Sequence, residues 1–326
     1  MSTERVIVAC SLSTQEARSE RGAEVLTAAR QLAAPIHGQV VWLVAGEPAA
    51  DLGEIGGRFG AVRVEILPVG HDADEVALVA ALASCVGASG ARAAVSVQTF
   101  EARTVVPRVA ARLRSPVLMN VLKASVSGSG LFTATARAFG GDTHATYDFV
   151  GDGPYFLSLL PRAVTPIPIE GPQHPVPVTE RAALPHDGGD GIRVVRPPTQ
   201  QGSRLEDATI VVAGGRGLGE RSRYQLIEAL ADALGGVAAA SRPLVDDGWV
   251  DASRQVGLTG TVVQPDLYIA VGISGASQHM AGCSAARVIV AINSDENAAI
   301  FRYARFGVVA DAASFLPLLI DAVIVP

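Results

Sequence analysis

Lysine is almost missing from this chain: Lys123 is the single lysine among 26 basic residues, and the formal net charge is −6. A nucleic-acid surface needs clustered Lys and Arg to neutralise phosphates, so this composition disfavours that class of partner. Positive charge therefore rests almost wholly on arginine. Its planar guanidinium stays charged in any environment and suits contact with a phosphate or a flat ring. Cysteine is scarce as well. Cys10, Cys85 and Cys283 lie far apart with no C-x-x-C pair, which argues against a disulfide framework and against a zinc or iron–sulfur site. They read as reduced, buried small residues. No apolar run approaches the ~18 residues of a membrane span, and Met1-Ser-Thr-Glu-Arg5 has no apolar stretch behind a basic start. The expectation is a cytoplasmic protein that is not membrane-embedded.

A chain of 326 residues with 49% hydrophobic content can bury one large core or two smaller ones, and two domains are expected. In the first half, apolar runs at Val6–Ala9, Gln39–Val44, Ala61–Leu67 and Ala93–Val97 read as strands. Between them lie a polar helix reaching Leu32, an amphipathic helix over Glu75–Val86 and a helix over Thr104–Leu113 with Val105, Val109 and Leu113 on one face. Strands alternating with helices predict a parallel sheet covered on both faces. Between Leu131 and Val164 the pieces shorten, with turn signals at Gly140-Gly141 and Gly151-Asp-Gly-Pro154, and predict an antiparallel edge. From Pro166 to Ser203 the composition shifts to Pro, Gly, His and Asp. Residues 188–204 are read as a linker between an N-terminal domain, 1–187, and a C-terminal one, 205–326.

The second domain resumes the parallel pattern, with strands at Ala208–Ala213, Leu267–Val271, Val288–Ile292 and Val308–Val309 and a helix over Tyr224–Leu234. In open doubly wound sheets ligands collect beyond the carboxyl ends of the strands. Each of these ends carries a distinctive group: Gly214-Gly215-Arg216-Gly217, then Ser274 through His279, then Asn293-Ser-Asp295, then Asp311. Glycine lets a backbone approach a pyrophosphate, and a following helix offers unpaired N–H groups. Between these ends stand Ser241-Arg242 and the polar loop Gln255-Val-Gly-Leu-Thr259-Gly260. The fold class is thus α/β, with two doubly wound, mostly parallel-sheet domains, the C-terminal one Rossmann-like. No acidic residue about 20 positions past the glycine loop stands ready to read a ribose, so the NAD fingerprint is missing.

The order Gly-Gly-Arg-Gly at 214–217, Ala-Ser-Arg at 240–242, Gln-Val-Gly-x-Thr-Gly at 255–260, Pro-Asp-Leu-Tyr-Ile-Ala-Val-Gly-Ile-Ser-Gly-Ala-x-Gln-His at 265–279 and Val-Ala-Ile-Asn at 290–293 closely resembles the alpha subunit of electron-transfer flavoproteins. Several separated motifs in one order across about a hundred residues are hard to obtain by chance. The first domain resembles the family more loosely, through Arg103-Thr-Val-Val-Pro-Arg-Val-Ala-Ala-Arg-Leu113 and Arg137-Ala-Phe-Gly-Gly141. The resemblance implies an FAD held by the C-terminal domain and a heterodimer with a beta subunit that carries AMP or a second FAD. It implies a redox electron carrier more than a stand-alone enzyme, relaying electrons from flavin dehydrogenases to an acceptor such as a quinone reductase. A subunit of an electron-bifurcating flavoprotein or dehydrogenase complex is the alternative.

Position by position, the resemblance assigns FAD contacts to Arg216, Ser241, Gln255, Val256, Gly257, Leu258, Thr259, Ser274, Gly275, Ala276, Ser277, Gln278, His279, Asn293 and Asp311, with Arg242 against the isoalloxazine. Reduction puts negative charge on the N1/C2=O end of a flavin, so a nearby cation or N–H donor raises its potential. His279 and Arg242 are the candidates for that role, Arg216 and Ser274 for the pyrophosphate. Thr259 is the candidate to offer its hydroxyl to flavin N5, and Gln278 to bond hydroxyls of the ribityl or adenosine side. Two departures stand out. Where the family usually reads Gln-Thr-Gly-Lys, this chain has Leu258-Thr259-Gly260-Thr261, which removes an amide and an ammonium from the flavin loop, and Ser277 replaces a bulkier apolar residue. Losing the positive charge is expected to lower the flavin potential or weaken a partner contact.

Overall fold

The computed structural model describes residues 5–69, 75–138, 143–171, 173–182 and 205–324. The linker assigned to 188–204 and the Gly140-Gly141 turn lie outside them. Two compact units emerge, one over 5–138 and 144–182 and one over 205–324.

The first unit contains strands β1 (Val6–Ser11), β2 (Gln39–Ala45), β3 (Arg63–Leu67), β4 (Ala91–Val97), β5 (Val117–Val126), β6 (Phe132–Ala138), β7 (Thr143–Phe149), β8 (Tyr155–Leu159) and β9 (Val178–Glu180). Its helices are α1 (Thr14–Ala17), α2 (Glu20–Ala33), α3 (Leu52–Phe59), α4 (Glu75–Ala88) and α5 (Phe100–Arg112). The strands form one sheet in the order β7-β6-β5-β8-β4-β1-β2-β3-β9. Every paired strand from β5 through β8 to β9 runs parallel, and β5 and β6 run antiparallel. The expected antiparallel edge is therefore present. Successive residues feed opposite cores: Ile7 and Ala9 join Trp42 under α2, while Val8 and Cys10 join Leu43 under α4 and α5. Burial on both faces is why these strands read as unbroken apolar runs rather than as alternations.

Helix α3 was not evident from the sequence, because Gly53, Gly56 and Gly57 weaken a helical pattern. Packing explains them. A Cβ on Gly57 would stand 2.0 Å from the His174 carbonyl oxygen and one on Gly53 2.8 Å from that of Val176. The extended segment before β9 can lie on the helix only where side chains are missing. Beyond that segment Arg181 closes on Glu65 at 2.7 Å, and Arg63 meets the same carboxylate at 2.8 Å, fastening the edge strand to β3.

The second unit contains β10 (Ile210–Gly214), α6 (Tyr224–Ala233), β11 (Val237–Ser241), α7 (Arg242–Asp246), β12 (Gln255–Val256), β13 (Leu267–Val271), α8 (Ser277–Cys283), β14 (Val288–Asn293), β15 (Phe306–Val309) and α9 (Ala312–Ile324). All six strands are parallel, in the order β12-β11-β10-β13-β14-β15. Strands β11 and β12 were not expected. The run Val-Ala-Ala-Ala-Ser is poor in the β-branched and aromatic residues that mark strands, and it pairs because both neighbours fix it: Ala239 lies opposite Ala213, and Ser241 opposite Val256. With them in place the order reverses between β10 and β13, which creates a topological switch point. No described helix is long and apolar enough to cross a membrane.

Candidate functional site

The loops after β10 and β13 meet at that switch point. Gly215 N–H donates to the Val271 carbonyl at 2.8 Å and Gly217 N–H to the Gly272 carbonyl at 2.9 Å. A Cβ on Gly215 would fall 2.3 Å from the Gly272 oxygen, and one on Gly217 2.7 Å from the Gly272 Cα. These glycines are required by loop-on-loop packing within the protein. Helix α6 opens only at Tyr224, after two short 3-10 turns at Arg216–Leu218 and Arg221–Arg223. Its N–H groups therefore do not follow directly from the glycine loop.

The β13 loop is the tightest part of the site. Gly275 has φ +84°, and a Cβ there would sit 2.2 Å from the Ile300 nitrogen. That nitrogen donates to the Ser274 carbonyl at 3.0 Å, and Asn293 Nδ2 donates to the Ile273 carbonyl at 2.9 Å. The loop is thus clamped from two sides, leaving the side chains of Ser274, Ala276, Ser277 and Gln278 exposed and His279 buried. Asn293 Oδ1 also accepts from Asp295 N–H at 3.0 Å, so both ends of its amide already serve the loops.

The third element is the loop after β12. Gly257 N–H donates to the Thr261 carbonyl at 3.2 Å, and Leu258 N–H donates to the Gln278 carbonyl at 2.7 Å. Gly257 and Gly282 pack backbone on backbone, since a Cβ on Gly282 would stand 2.4 Å from the Gly257 nitrogen. Loop and helix α8 are therefore one body. Within it the buried Gln255 donates through Nε2 to Thr259 Oγ at 3.0 Å. With its oxygen accepting, the Thr259 hydroxyl keeps its own proton to donate outward. Leu258 is exposed beside it.

Two exposed arginines follow the strand ends at this edge of the sheet. Arg242, directly after the buried Ser241 at the end of β11, pairs with Asp246 at 3.2 Å; Arg216 reaches Asp247 at 3.4 Å. Both pairs are exposed and so hold the guanidinium groups only weakly. Asp311 lies outermost, after β15, where Oδ2 accepts from Ser314 N–H at 3.1 Å and caps α9. It is the candidate least drawn to the others. The sequence reading also missed the acidic partners, although Arg242 and Asp246 carry a readable i, i+4 spacing.

His279 is the electrostatic centre of this arrangement. Its Nε2 lies 2.9 Å from the hydroxyl of Tyr268, a residue absent from the sequence-based candidates, and its Nδ1 is buried without a well-formed hydrogen bond. Burial pushes the imidazole pKa down to about 4, against an opposing pull from the Val256 carbonyl. At neutral pH the ring is uncharged. A neutral ring can offer an N–H but no charge, which leaves Arg242 as the candidate cation. A buried ring nitrogen without a well-formed hydrogen bond, on the sheet edge where exposed polar loops and two exposed arginines follow the strands, fits a dinucleotide with a flat ring. A cleft of about 960 Å³ lies elsewhere, between α6 and Trp249, and none of the expected cofactor residues line it. Among the described residues no cluster of His, Cys, Asp or Glu could hold a metal ion.

Six parallel strands with glycine loops meeting at the switch point define a Rossmann-like α/β protein of the dinucleotide-binding class. A family model described as the electron transfer flavoprotein FAD-binding domain matches residues 204–284, and one described as the electron transfer flavoprotein domain matches residues 17–185. The electron transfer flavoprotein subunit alpha of Mycobacterium leprae is 35% identical over 316 residues, covering 95% of each chain. That of Mycobacterium tuberculosis is 36% identical over 305 residues, covering 92% of each. Protein FixB of Clostridium saccharobutylicum is 37% identical over 223 residues, 68% of this chain and 67% of its own. The chain belongs to the electron-transfer flavoprotein alpha-subunit family.

Proposed function

We propose that this chain is the FAD-holding half of a cytoplasmic electron carrier, working as a heterodimer with a beta subunit that carries AMP or a second FAD. It takes electrons from flavin dehydrogenases and delivers them to an acceptor such as a quinone reductase. Bound FAD supplies the redox chemistry. The chain supplies position and charge: Arg216 and Ser274 hold the pyrophosphate, and the 255–259 loop with Ser241 holds the ring system. Gln278 bonds sugar or ribityl hydroxyls, and Thr259 presents its free hydroxyl proton. Arg242 favours the negative charge gained on reduction, and His279 offers a neutral N–H. Asn293 and Asp311 set the loops on which the contacts sit.

The observation that carries this reading is the buried His279 Nδ1, which has no well-formed hydrogen bond, within a body that also contains the 255–260 loop and the start of α8. A buried polar nitrogen left unpaired costs about 1–3 kcal/mol, a cost that a flavin carbonyl or ring nitrogen would remove. The test is co-purification with the beta subunit, followed by an absorption spectrum and cofactor extraction. One FAD with AMP and dehydrogenase-dependent reduction supports the carrier. Two FAD with direct reduction by NADH would replace it with the bifurcating alternative, and a folded, colourless pair that cannot be reconstituted with FAD would overturn both.

A further inference from the structure

We propose that Tyr268 is a positioning residue of the flavin site: its hydroxyl donates to His279 Nε2, and this fixes the imidazole in the form that carries its proton on Nδ1. The inference rests on the flavin reading above for its functional half, and on the protein alone for the rest. Tyr268 is the second residue of β13, opposite Val211 of β10 and Ile289 of β14, and is completely buried. His279 is the third residue of α8 and is also buried. The two side chains meet at 2.9 Å between the hydroxyl and Nε2, with the rings 6.1 Å apart. A neutral imidazole has one donor and one acceptor nitrogen, and the partner of one nitrogen decides the state of the other.

Two arrangements satisfy that contact. In one, the phenol donates to Nε2 and Nδ1 carries the hydrogen. In the other, Nε2–H donates to the phenol oxygen, and the phenol must send its own proton elsewhere. The neighbouring side chain is Cys283, which also hydrogen-bonds the Tyr268 hydroxyl and whose thiol reaches the His279 carbonyl at 3.6 Å. Sulfur is a weak acceptor compared with an imidazole nitrogen, so the phenol proton goes to Nε2. Burial holds the Tyr268 hydroxyl protonated, far above its ordinary range, and the donor is never lost. Nδ1 then becomes an N–H without a well-formed hydrogen bond inside the protein, with only the Val256 carbonyl bearing on the ring. Tyr268 thus determines, from the sheet and without touching the cofactor, that the nitrogen left for the flavin is a donor. An acceptor there would repel the negative charge that reduction brings to the ring.

The experiment uses the full heterodimer with 15N-labelled histidine. In the wild-type protein the two-bond 1H–15N spectrum of His279 is expected to show a neutral ring protonated on Nδ1. Tyr268→Phe keeps the ring and removes the hydroxyl, and should move a large share of His279 to the form protonated on Nε2. The same variant should weaken FAD binding about three- to tenfold, the range for one neutral hydrogen bond. In a His279→Gln background the added Tyr268→Phe change should alter FAD affinity by less than twofold, because the tyrosine acts through the histidine. A wild-type ring protonated on Nε2, or an unmoved Nδ1–H form in Tyr268→Phe, overturns the tyrosine's role whatever the flavin does. A shifted tautomer with unchanged FAD affinity and potential would instead remove the flavin contact of His279, and with it the functional half. Spectra recorded with and without FAD separate the two failures.

Discussion

Replacing Gly275 with alanine tests the central loop of the site more directly than any charge substitution. Three separate costs arise there. The backbone is left-handed at φ +84°, which a residue with a Cβ adopts at about 1–2 kcal/mol. The new Cβ would lie 2.2 Å from the Ile300 nitrogen and 2.5 Å from its Cα, and since backbone cannot yield as a flexible side chain does, the loop must move at about 1–3 kcal/mol. That movement breaks the 3.0 Å bond from Ile300 N–H to the Ser274 carbonyl, worth about 1 kcal/mol. Together they predict a loss of about 3–6 kcal/mol. Gly235→Ala is the control, because φ is +64° there and nothing lies within 4 Å of the new atom, so only the first cost applies, about 1 kcal/mol. Urea unfolding of the two variants against wild type, followed by near-ultraviolet dichroism, reads the difference. Equal destabilisation by the two alanines would refute the clamp between the β13 loop and Ile300. A Gly275→Ala protein that keeps its stability but releases FAD would refute it too, by placing the strain on the ligand.

Other consequences follow from groups described above or buried near them. In the first unit Glu16 is fully enclosed, and burial raises its carboxyl from 4.5 to about 7 despite the Leu12 N–H bond. The folded state therefore binds the proton more tightly than the unfolded one, and stability from this group falls as pH rises from about 4.5 to 7, by up to about 3 kcal/mol; Glu16→Gln should flatten the melting temperature between pH 5 and 8, and equal slopes would reject the assignment. Burial alone would raise Glu65, but the hydrogen bonds from Arg63 and Arg181 outweigh it and hold the carboxyl below its usual range. Its contribution is present above pH 4.5 and lost as pH falls through that lowered value, so Glu65→Gln should cost about 1–3 kcal/mol at pH 7 and progressively less as pH falls below 4.5, by differential scanning calorimetry. Arg242 is 62% exposed in its side chain, so Arg242→Gln should lower the flavin potential only modestly, by about 40 mV or ~1 kcal/mol, in a spectroelectrochemical titration. Asp311→Ala should destabilise α9 by about 1 kcal/mol through its lost cap, measured by urea unfolding.

The sequence carried most of the framework because its buried strands are continuous runs of Val, Ile and Leu, as in Val40–Val44 or Val288–Ile292, and a parallel sheet buried on both faces writes itself that way. It carried the loops for a different reason: glycines and short polar residues cluster where β10, β12 and β13 end. It did not carry β11, whose alanines pair only because β10 and β12 hold them, nor α3, whose glycines answer to a segment over a hundred residues away. Without β11 and β12 the strand order, and so the switch point, could not be derived. Tyr268 was hidden for the same reason. Its part in the site depends on the face of β13 against which α8 packs, and no spacing along the chain encodes that.

The backbone bond from Leu258 to Gln278 and the contact of Gly257 with Gly282 have a kinetic meaning. They tie the loop that carries Thr259 to the helix that carries His279 without any flexible side chain between them. Groups so joined would not have to be moved into place when charge arrives at a ring bound between them, because their dipoles are already fixed. On the proposed reading, little reorganisation would accompany each electron transfer to and from a flavin held there.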